Sequence, residues 1–221
     1  MSLDIIKGNL FTSNCQTLVN TVNCVGVMGA GIALEFRLRY PQMYERYVEI
    51  CNSNLLDIGK LWLYKSEHRW VLNFPTKKHW KRASKIEFLQ LGLQKFVDTY
   101  EKKGITSIAF PLLGSLNGGI SENESLEIMT KYLYKCDDIK IEIYIYEANS
   151  LDDIFHQLKT RFLSLSDKEI LNLTGLQKIY LTRVKDVMQD DSICSLSQFI
   201  SVKGIGINTV QKALLIINAN K

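Results

Sequence analysis

Two segments of the chain follow one plan, and that plan limits the folds open to it. In the first, the β-branched run Thr17–Val22 leads through Asn23 into a loop with Gly26, Gly29 and Gly31, then into a stretch with helical spacing. In the second, the apolar run 105–113 (ITSIAFPLL) leads into Gly114-Ser115-Leu116-Asn117-Gly118-Gly119. A helix follows, its start marked by Ser121 with Glu124 three residues on, a capping-box pattern. Strand, glycine loop and helix therefore occur twice. The rest of the first 148 residues fits the same scheme. Residues 3–7 make a short β run. From Gly31 to Cys51, Ile32, Phe36, Tyr40, Met43, Tyr47 and Ile50 recur at helical spacing, with Pro41 dividing the stretch into two helices. Residues 60–64 and 70–74 read as strands, 86–100 as an amphipathic helix closing near Gly104, and 139–146 (IKIEIYIY) as a strictly alternating strand. The expectation is an α/β fold, a mixed sheet between two helical layers. After Ala148 no run reads as a strand, and five short segments read as helices. The expected domains are 1–148 and a small all-helical one over 149–221.

The glycine loops suggest an anion. Glycine lets the backbone approach a ligand and take positive φ. Amides at the start of the following helix favour a group such as a diphosphate. The order Gly26-x-x-Gly29-x-Gly31 is not the GxGxxG of dinucleotide folds, and no GxxxxGK[ST] phosphate loop is present. Taken alone, the first loop also suits a tight strand–helix connection. Two such loops at the carboxyl ends of strands could clamp one diphosphate from both sides.

Composition narrows the rest. The chain has 221 residues, 46% apolar and 23% charged, enough for a proper core. A net charge of +4 neither requires nor opposes nucleic acid. No apolar run nears the ~20 residues of a membrane span, and Met1-Ser2-Leu3-Asp4 does not open a leader peptide. The five cysteines are scattered without a CxxC pair. They read as reduced thiols of a cytoplasmic protein with no membrane partner. His68, His79 and His156 lack ligand spacing, so neither a metal nor a cofactor is expected.

A third feature is the run Asn73-Phe74-Pro75-Thr76-Lys77-Lys78-His79-Trp80, where a strand gives way to a basic, aromatic loop. Such a run suits a solvated surface loop. It also suits a lysine amine that attacks a sugar carbon once burial or neighbouring cations lower its pKa.

Together these motifs resemble the macrodomain family over residues 1–148. Asn20–Ala33 is similar to the signature NxVNxxGxMGxGIA, Ile6-Lys7-Gly8-Asn9-Leu10 to the turn after the first strand, and Pro111–Ile120 to the second phosphate loop. Macrodomains bind ADP-ribose, and some hydrolyse ADP-ribosyl linkages. The resemblance implies that Asn9 and Leu10 lie by the adenine, with an asparagine where other branches have aspartate. It implies that Asn20 is a ligand-binding residue and that Asn23 bonds the distal ribose. Gly29, Ala30, Gly31 and Ile32 would line the diphosphate on one side; Gly114, Ser115, Leu116, Asn117, Gly118 and Gly119 would line it on the other. The run NFPTKxHW resembles the DarG-type DNA ADP-ribosyl glycohydrolase branch, the antitoxins of toxin–antitoxin pairs, which makes Lys77 the catalytic lysine and Lys78 the second choice. Protein-directed relatives carry an aspartate where Gly118 stands, which favours the nucleic-acid branch. Leu116 replaces a usual glycine, implying a differently shaped loop.

A fourth feature lies in the second domain. Residues 199–210 (FISVKGIGINTV) resemble a helix-hairpin-helix motif, in which hairpin amides contact a phosphate. Lys203, Gly204, Gly206, Thr209 and Lys212 are its candidate DNA contacts. The same residues suit a helical packing hairpin, and nine basic against seven acidic residues over 149–221 make no strong basic patch.

Three functions follow. The first is a hydrolase acting on ADP-ribosylated single-stranded DNA, paired with a cognate ADP-ribosyltransferase toxin. The second is a hydrolase for ADP-ribosylated protein or O-acetyl-ADP-ribose. The third is a reader of ADP-ribose that does no chemistry. A reader needs Asn23 and the loops but not Lys77.

Overall fold

The computed structural model describes residues 2–218. The chain forms two compact units that divide between Tyr146 and Glu147.

The first unit carries β1 (Ser2–Gly8), β2 (Thr17–Asn23), α1 (Gly31–Arg39), α2 (Pro41–Asn52), β3 (Trp62–Tyr64), β4 (Trp70–Lys77), α3 (Ile86–Val97), α4 (Tyr100–Lys103), β5 (Ser107–Pro111), α5 (Glu122–Leu133) and β6 (Lys140–Tyr146). The sheet order is β1-β6-β5-β2-β4-β3. Its pairs are parallel except β3 with β4, so the sheet is mixed. Side chains alternate across it. Val19, Leu72, Phe74, Ile108, Phe110 and Ile141 pack with Leu89, Leu93 and Phe96 of α3 and Met129 and Leu133 of α5. Leu18, Val22, Val71 and Ala109 pack with Phe36 of α1 and Met43, Tyr47 and Cys51 of α2. The result is the expected three-layer α/β/α arrangement.

Local chemistry explains the element ends. Pro41 opens α2 at its first position, where a missing N–H costs nothing. Ser121 Oγ accepts from the Glu124 N–H at the start of α5. Gly104 (φ 74°) closes α4 in the left-handed region. The helix expected over residues 86–100 ends at Val97, and Thr99 (φ −136°) separates α3 from α4. The strand expected at 70–74 runs on to Lys77. Pro75 is tolerated because the β2–β4 register shifts between Val22 and Asn23, opposite it. Gly92 brings α3 close to β4: a Cβ there would lie 2.2 Å from Phe74 Cζ.

This topology creates a crevice. β2 is flanked by β4 on one side and β5 on the other, and the chain visits β4 before crossing to β5. The loops after β2 and β5 therefore diverge at the carboxyl edge of the sheet, the position where open α/β sheets bind ligands.

The second unit contains α6 (Asp153–Ser164), α7 (Asp167–Thr174), α8 (Lys178–Gln189), α9 (Leu196–Ser201) and α10 (Ile207–Asn218). Its core includes Phe155, Leu158, Phe162, Ile170, Val184, Met188, Phe199, Val210 and Ile216. The buried Asp152 carboxylate joins two helix starts, accepting from the N–H of Phe155 (3.1 Å) and of Leu196 (3.0 Å). Ser166 and Glu169 form a reciprocal capping box on α7.

Candidate functional site

Asn23 ends β2 and organises the loop that follows. Its Oδ1 accepts from the N–H of Val25 (3.0 Å) and of Val27 (3.3 Å), while Nδ2 donates to the Val27 carbonyl. The Tyr47 hydroxyl donates to the Asn23 carbonyl at 2.7 Å and lies 3.1 Å from Oδ1. Burial raises the Tyr47 phenol pKa far above its ordinary value, so it stays a donor. Asn23 is thus a brace for the loop. Asn20, one turn of the pleat deeper, donates to Asn73 Oδ1 across the β2–β4 pair at 2.9 Å. Asn20 Oδ1 and Asn73 Nδ2 are buried without a partner among the described residues. Each such orphan costs about 1–3 kcal/mol, which leaves polar capacity beneath the loop.

Lys77 sits opposite Asn23 in the β2–β4 register. Its ammonium donates to the Asn117 carbonyl in the second glycine loop. Burial lowers the Lys77 pKa below the ordinary lysine value. Lys78 points elsewhere: it pairs with the Asp57 carboxylate, and that hydrogen bond raises its pKa. Two neighbouring lysines are thus set apart, one desolvated and facing the second loop, the other held as a cation at the surface.

The two glycine loops converge on Asn117. A Cβ on Gly31 would lie 2.7 Å from Asn117 Nδ2, so a side chain there would strain this left-handed position (φ 55°) and move the end of the Asn117 side chain. Asn23 opposite Lys77, Lys77 on Asn117, and Asn117 against Gly31 make one continuous chain of contacts around the crevice. Ala30 begins α1 without a side-chain cap, so the first amides of that helix, at Gly31 and Ile32, have no capping side chain. Gly29 and Ala30 precede them in the same loop. Across the crevice, Ser115 Oγ donates to the Leu112 carbonyl and begins a 3₁₀ turn over Leu116–Gly118. Gly114 (φ 70°) and Gly119 (φ 82°) supply left-handed backbone. Leu116 adopts φ 49° despite its side chain, which is 71% exposed. The loop keeps a glycine-type conformation at a cost of about 1–2 kcal/mol.

Three residues of the site were not singled out by sequence: Tyr47, Asn73 and Ser84. Ser84 packs beneath Gly118: its N–H donates to the Gly118 carbonyl at 2.9 Å, and a Cβ on Gly118 would lie 2.7 Å from its Oγ. The Ser84 hydroxyl is buried and unpartnered among the described residues. An asparagine in an otherwise apolar strand was a signal for Asn73; nothing local marks Ser84 or Tyr47.

Asn9 and Leu10 lie past the end of β1, three strand positions from β2, a separation of about 14 Å. Asn9 Oδ1 accepts from the Phe11 N–H at 3.0 Å and caps a 3₁₀ turn, and Leu10 is buried. In the second unit the candidate contacts differ in burial and partners. Lys203, Gly204 and Gly206 are exposed, Thr209 is buried, and Lys212 donates to the Gly175 carbonyl at the end of α7.

The Macro domain family model matches residues 19–129, which hold both glycine loops and Lys77. The chain belongs to the macrodomain family. A DNA ADP-ribosyl glycohydrolase of Thermus aquaticus is 35% identical over 179 residues, 79% of this chain and 50% of that protein. A DNA ADP-ribosyl transferase–DNA ADP-ribosyl glycohydrolase fusion protein of Thermosipho africanus is 35% identical over 181 residues, 73% of this chain and 46% of that one. Among solved structures, Thermosipho africanus DarTG in complex with ADP-ribose is 36% identical with a TM-score of 0.64, covering 69% of this chain and 44% of that one. This macrodomain chain thus spans half or less of the length of these relatives. No described helix is long and apolar enough to cross a membrane.

Proposed function

We propose that this macrodomain binds ADP-ribose and removes it from ADP-ribosylated DNA, reversing the action of a cognate ADP-ribosyltransferase toxin. The observation that carries the reading is Lys77: a partly desolvated amine that joins the β2 side of the crevice to the second glycine loop. A protein that only reads ADP-ribose has no need of it. Relatives named for glycohydrolysis on DNA, and one named as a transferase fusion, support the substrate and the partner.

In this reading the adenine lies near Asn9 and Leu10. The diphosphate lies between Gly29–Ile32 and Gly114–Gly119, and the distal ribose between Asn23 and Lys77. The loops are braced by their own hydrogen bonds, an arrangement suited to amides that stabilise charge with little reorganisation. Lys77 assists at the anomeric carbon, as nucleophile or as electrostatic partner. As nucleophile, the neutral amine forms a bond to that carbon while the bond to the base breaks, and the base leaves with the electron pair and takes a proton. Water then adds to the same carbon, the amine is released, and ADP-ribose departs. The N- or O-glycosidic nature of the bond follows from the modified group. The five free cysteines suit a reducing, cytoplasmic setting.

A nucleophilic Lys77 sets the sign of the pH dependence. The neutral amine increases with pH, and burial moves its midpoint down. Release of ADP-ribose from a modified oligonucleotide should therefore rise with pH, with a midpoint below the ordinary lysine value of about 10.4. A rate that falls as the pH rises through that midpoint would argue against the nucleophile and leave only the electrostatic role, which needs the ammonium.

A further inference from the structure

The loop that leaves Lys77 has features that the glycohydrolase site does not use. It is pinned at both ends: the Cys24 N–H donates to the Lys78 carbonyl at 3.3 Å, and the Ser84 N–H to the Gly118 carbonyl at 2.9 Å. Between the pins it forms a turn closed by the Arg82 N–H on the His79 carbonyl at 3.0 Å, and the Lys81 N–H donates to His79 Nδ1 at 3.2 Å. The His79 and Trp80 rings stack, with centroids 5.7 Å apart and planes 24° apart. Lys81 Nζ lies 5.0 Å from the Trp80 ring centroid. Trp80 remains 47% exposed. Residues 78–85 hold four cations and no carboxylate. Asp57 offsets Lys78, which leaves Lys81, Arg82 and Lys85 exposed.

We infer that this loop is a stacking platform for an unpaired base of the strand that carries the modification, with Trp80 under the base and Lys81 and Arg82 on the flanking phosphates. The inference rests on the proposed DNA-directed reading and names the surface that would select its substrate. An indole held in water on an ordered turn offers a π-face that any base can cover. The cations beside it suit a phosphate backbone, the combination that holds single strands without reading sequence. Bases inside a duplex already stack on each other and present no free face. Trp80 follows Lys77 by three residues, so their Cα atoms are within about 11 Å. A base neighbouring the one attached at the distal ribose is thus in reach. A surface for docking a protein would call for apolar neighbours around the ring, whereas here Lys81 lies over it and the exposed Arg82 follows in the same turn.

The test uses the full chain as wild type, Trp80→Ala and Trp80→Phe. Each is titrated with a labelled, unmodified single-stranded oligonucleotide, with the same sequence as a duplex, and with ADP-ribose. The expected result is binding of the single strand in preference to the duplex, weakened about tenfold by Trp80→Ala and much less by Trp80→Phe. ADP-ribose affinity should stay the same in all three. Single-strand affinity equal in Trp80→Ala and wild type would overturn the platform, as would equal affinity for duplex; either result would leave Trp80 to a protein partner. Loss of ADP-ribose affinity in Trp80→Ala would also overturn it, since the loop would then only support the crevice. Strand binding through Trp80, without release of ADP-ribose from a modified oligonucleotide, would sink the glycohydrolase reading and leave the platform standing.

Discussion

Glycine turns precede helices in both units, yet the glycines serve different ends. In the macrodomain the turns are crowded. Gly31 meets the Asn117 carboxamide, Gly114 meets Ile120 and Leu89, and Gly118 meets Ser84. A side chain at any of them would have to displace these neighbouring side chains. In the helical unit, Gly204 (φ 88°) approaches only the end of the Arg183 side chain, and Gly206 has nothing within 4 Å of where a Cβ would go. Close approach marks the first set throughout; in the second it marks Gly204, where a Cβ would lie 2.9 Å from Arg183 Nη1, but not Gly206. Similar patterns on paper therefore differ in what surrounds them, and at Gly31, Gly114 and Gly118 residues of other segments converge on the turn.

Two substitutions would break or sharpen that contrast. The larger effect belongs to Gly31→Ala, which must both strain a left-handed residue, at about 1–2 kcal/mol, and displace Asn117. Calorimetric titration should show ADP-ribose affinity falling at least about tenfold, since 1.4 kcal/mol corresponds to that factor. Unchanged affinity would mean that the loops do not hold the nucleotide as drawn. The smaller effect belongs to Gly206→Ala. Thermal unfolding should move by less than about 0.5 kcal/mol, in keeping with an uncrowded surface site. A large loss there would show that the hairpin is packed more tightly than its surroundings indicate.

The sequence revealed what is local. Alternation marked β6, helical spacing and Pro41 marked α1 and α2, and Ser121 with Glu124 marked the start of α5. The glycine loops were legible because left-handed backbone and helix starts leave a compositional trace. Contacts between distant segments leave none. The Tyr47 hydroxyl on Asn23, Asp57 on Lys78 and Ser84 beneath Gly118 join residues 24, 21 and 34 positions apart. β4 was read as ending at Phe74, and Pro75, which follows it, cannot donate to a sheet. The register shift in the facing strand removes that objection, and Lys77 becomes a strand residue rather than a loop residue. The helix-hairpin-helix resemblance recorded the turn but not the burial of Thr209 or the Lys212 bond to Gly175.

The central claim is that Lys77, and not its neighbour, does the chemistry of this macrodomain. The direct measurement is release of ADP-ribose from a single-stranded oligonucleotide ADP-ribosylated on a base, by wild type, Lys77→Ala and Lys78→Ala. The account predicts a loss of two or more orders of magnitude in Lys77→Ala, the scale of removing one positioned catalytic group, about 10²–10⁴-fold. It predicts near wild-type release in Lys78→Ala, whose side chain faces Asp57. Full release by Lys77→Ala, with ADP-ribose still bound, would contradict it.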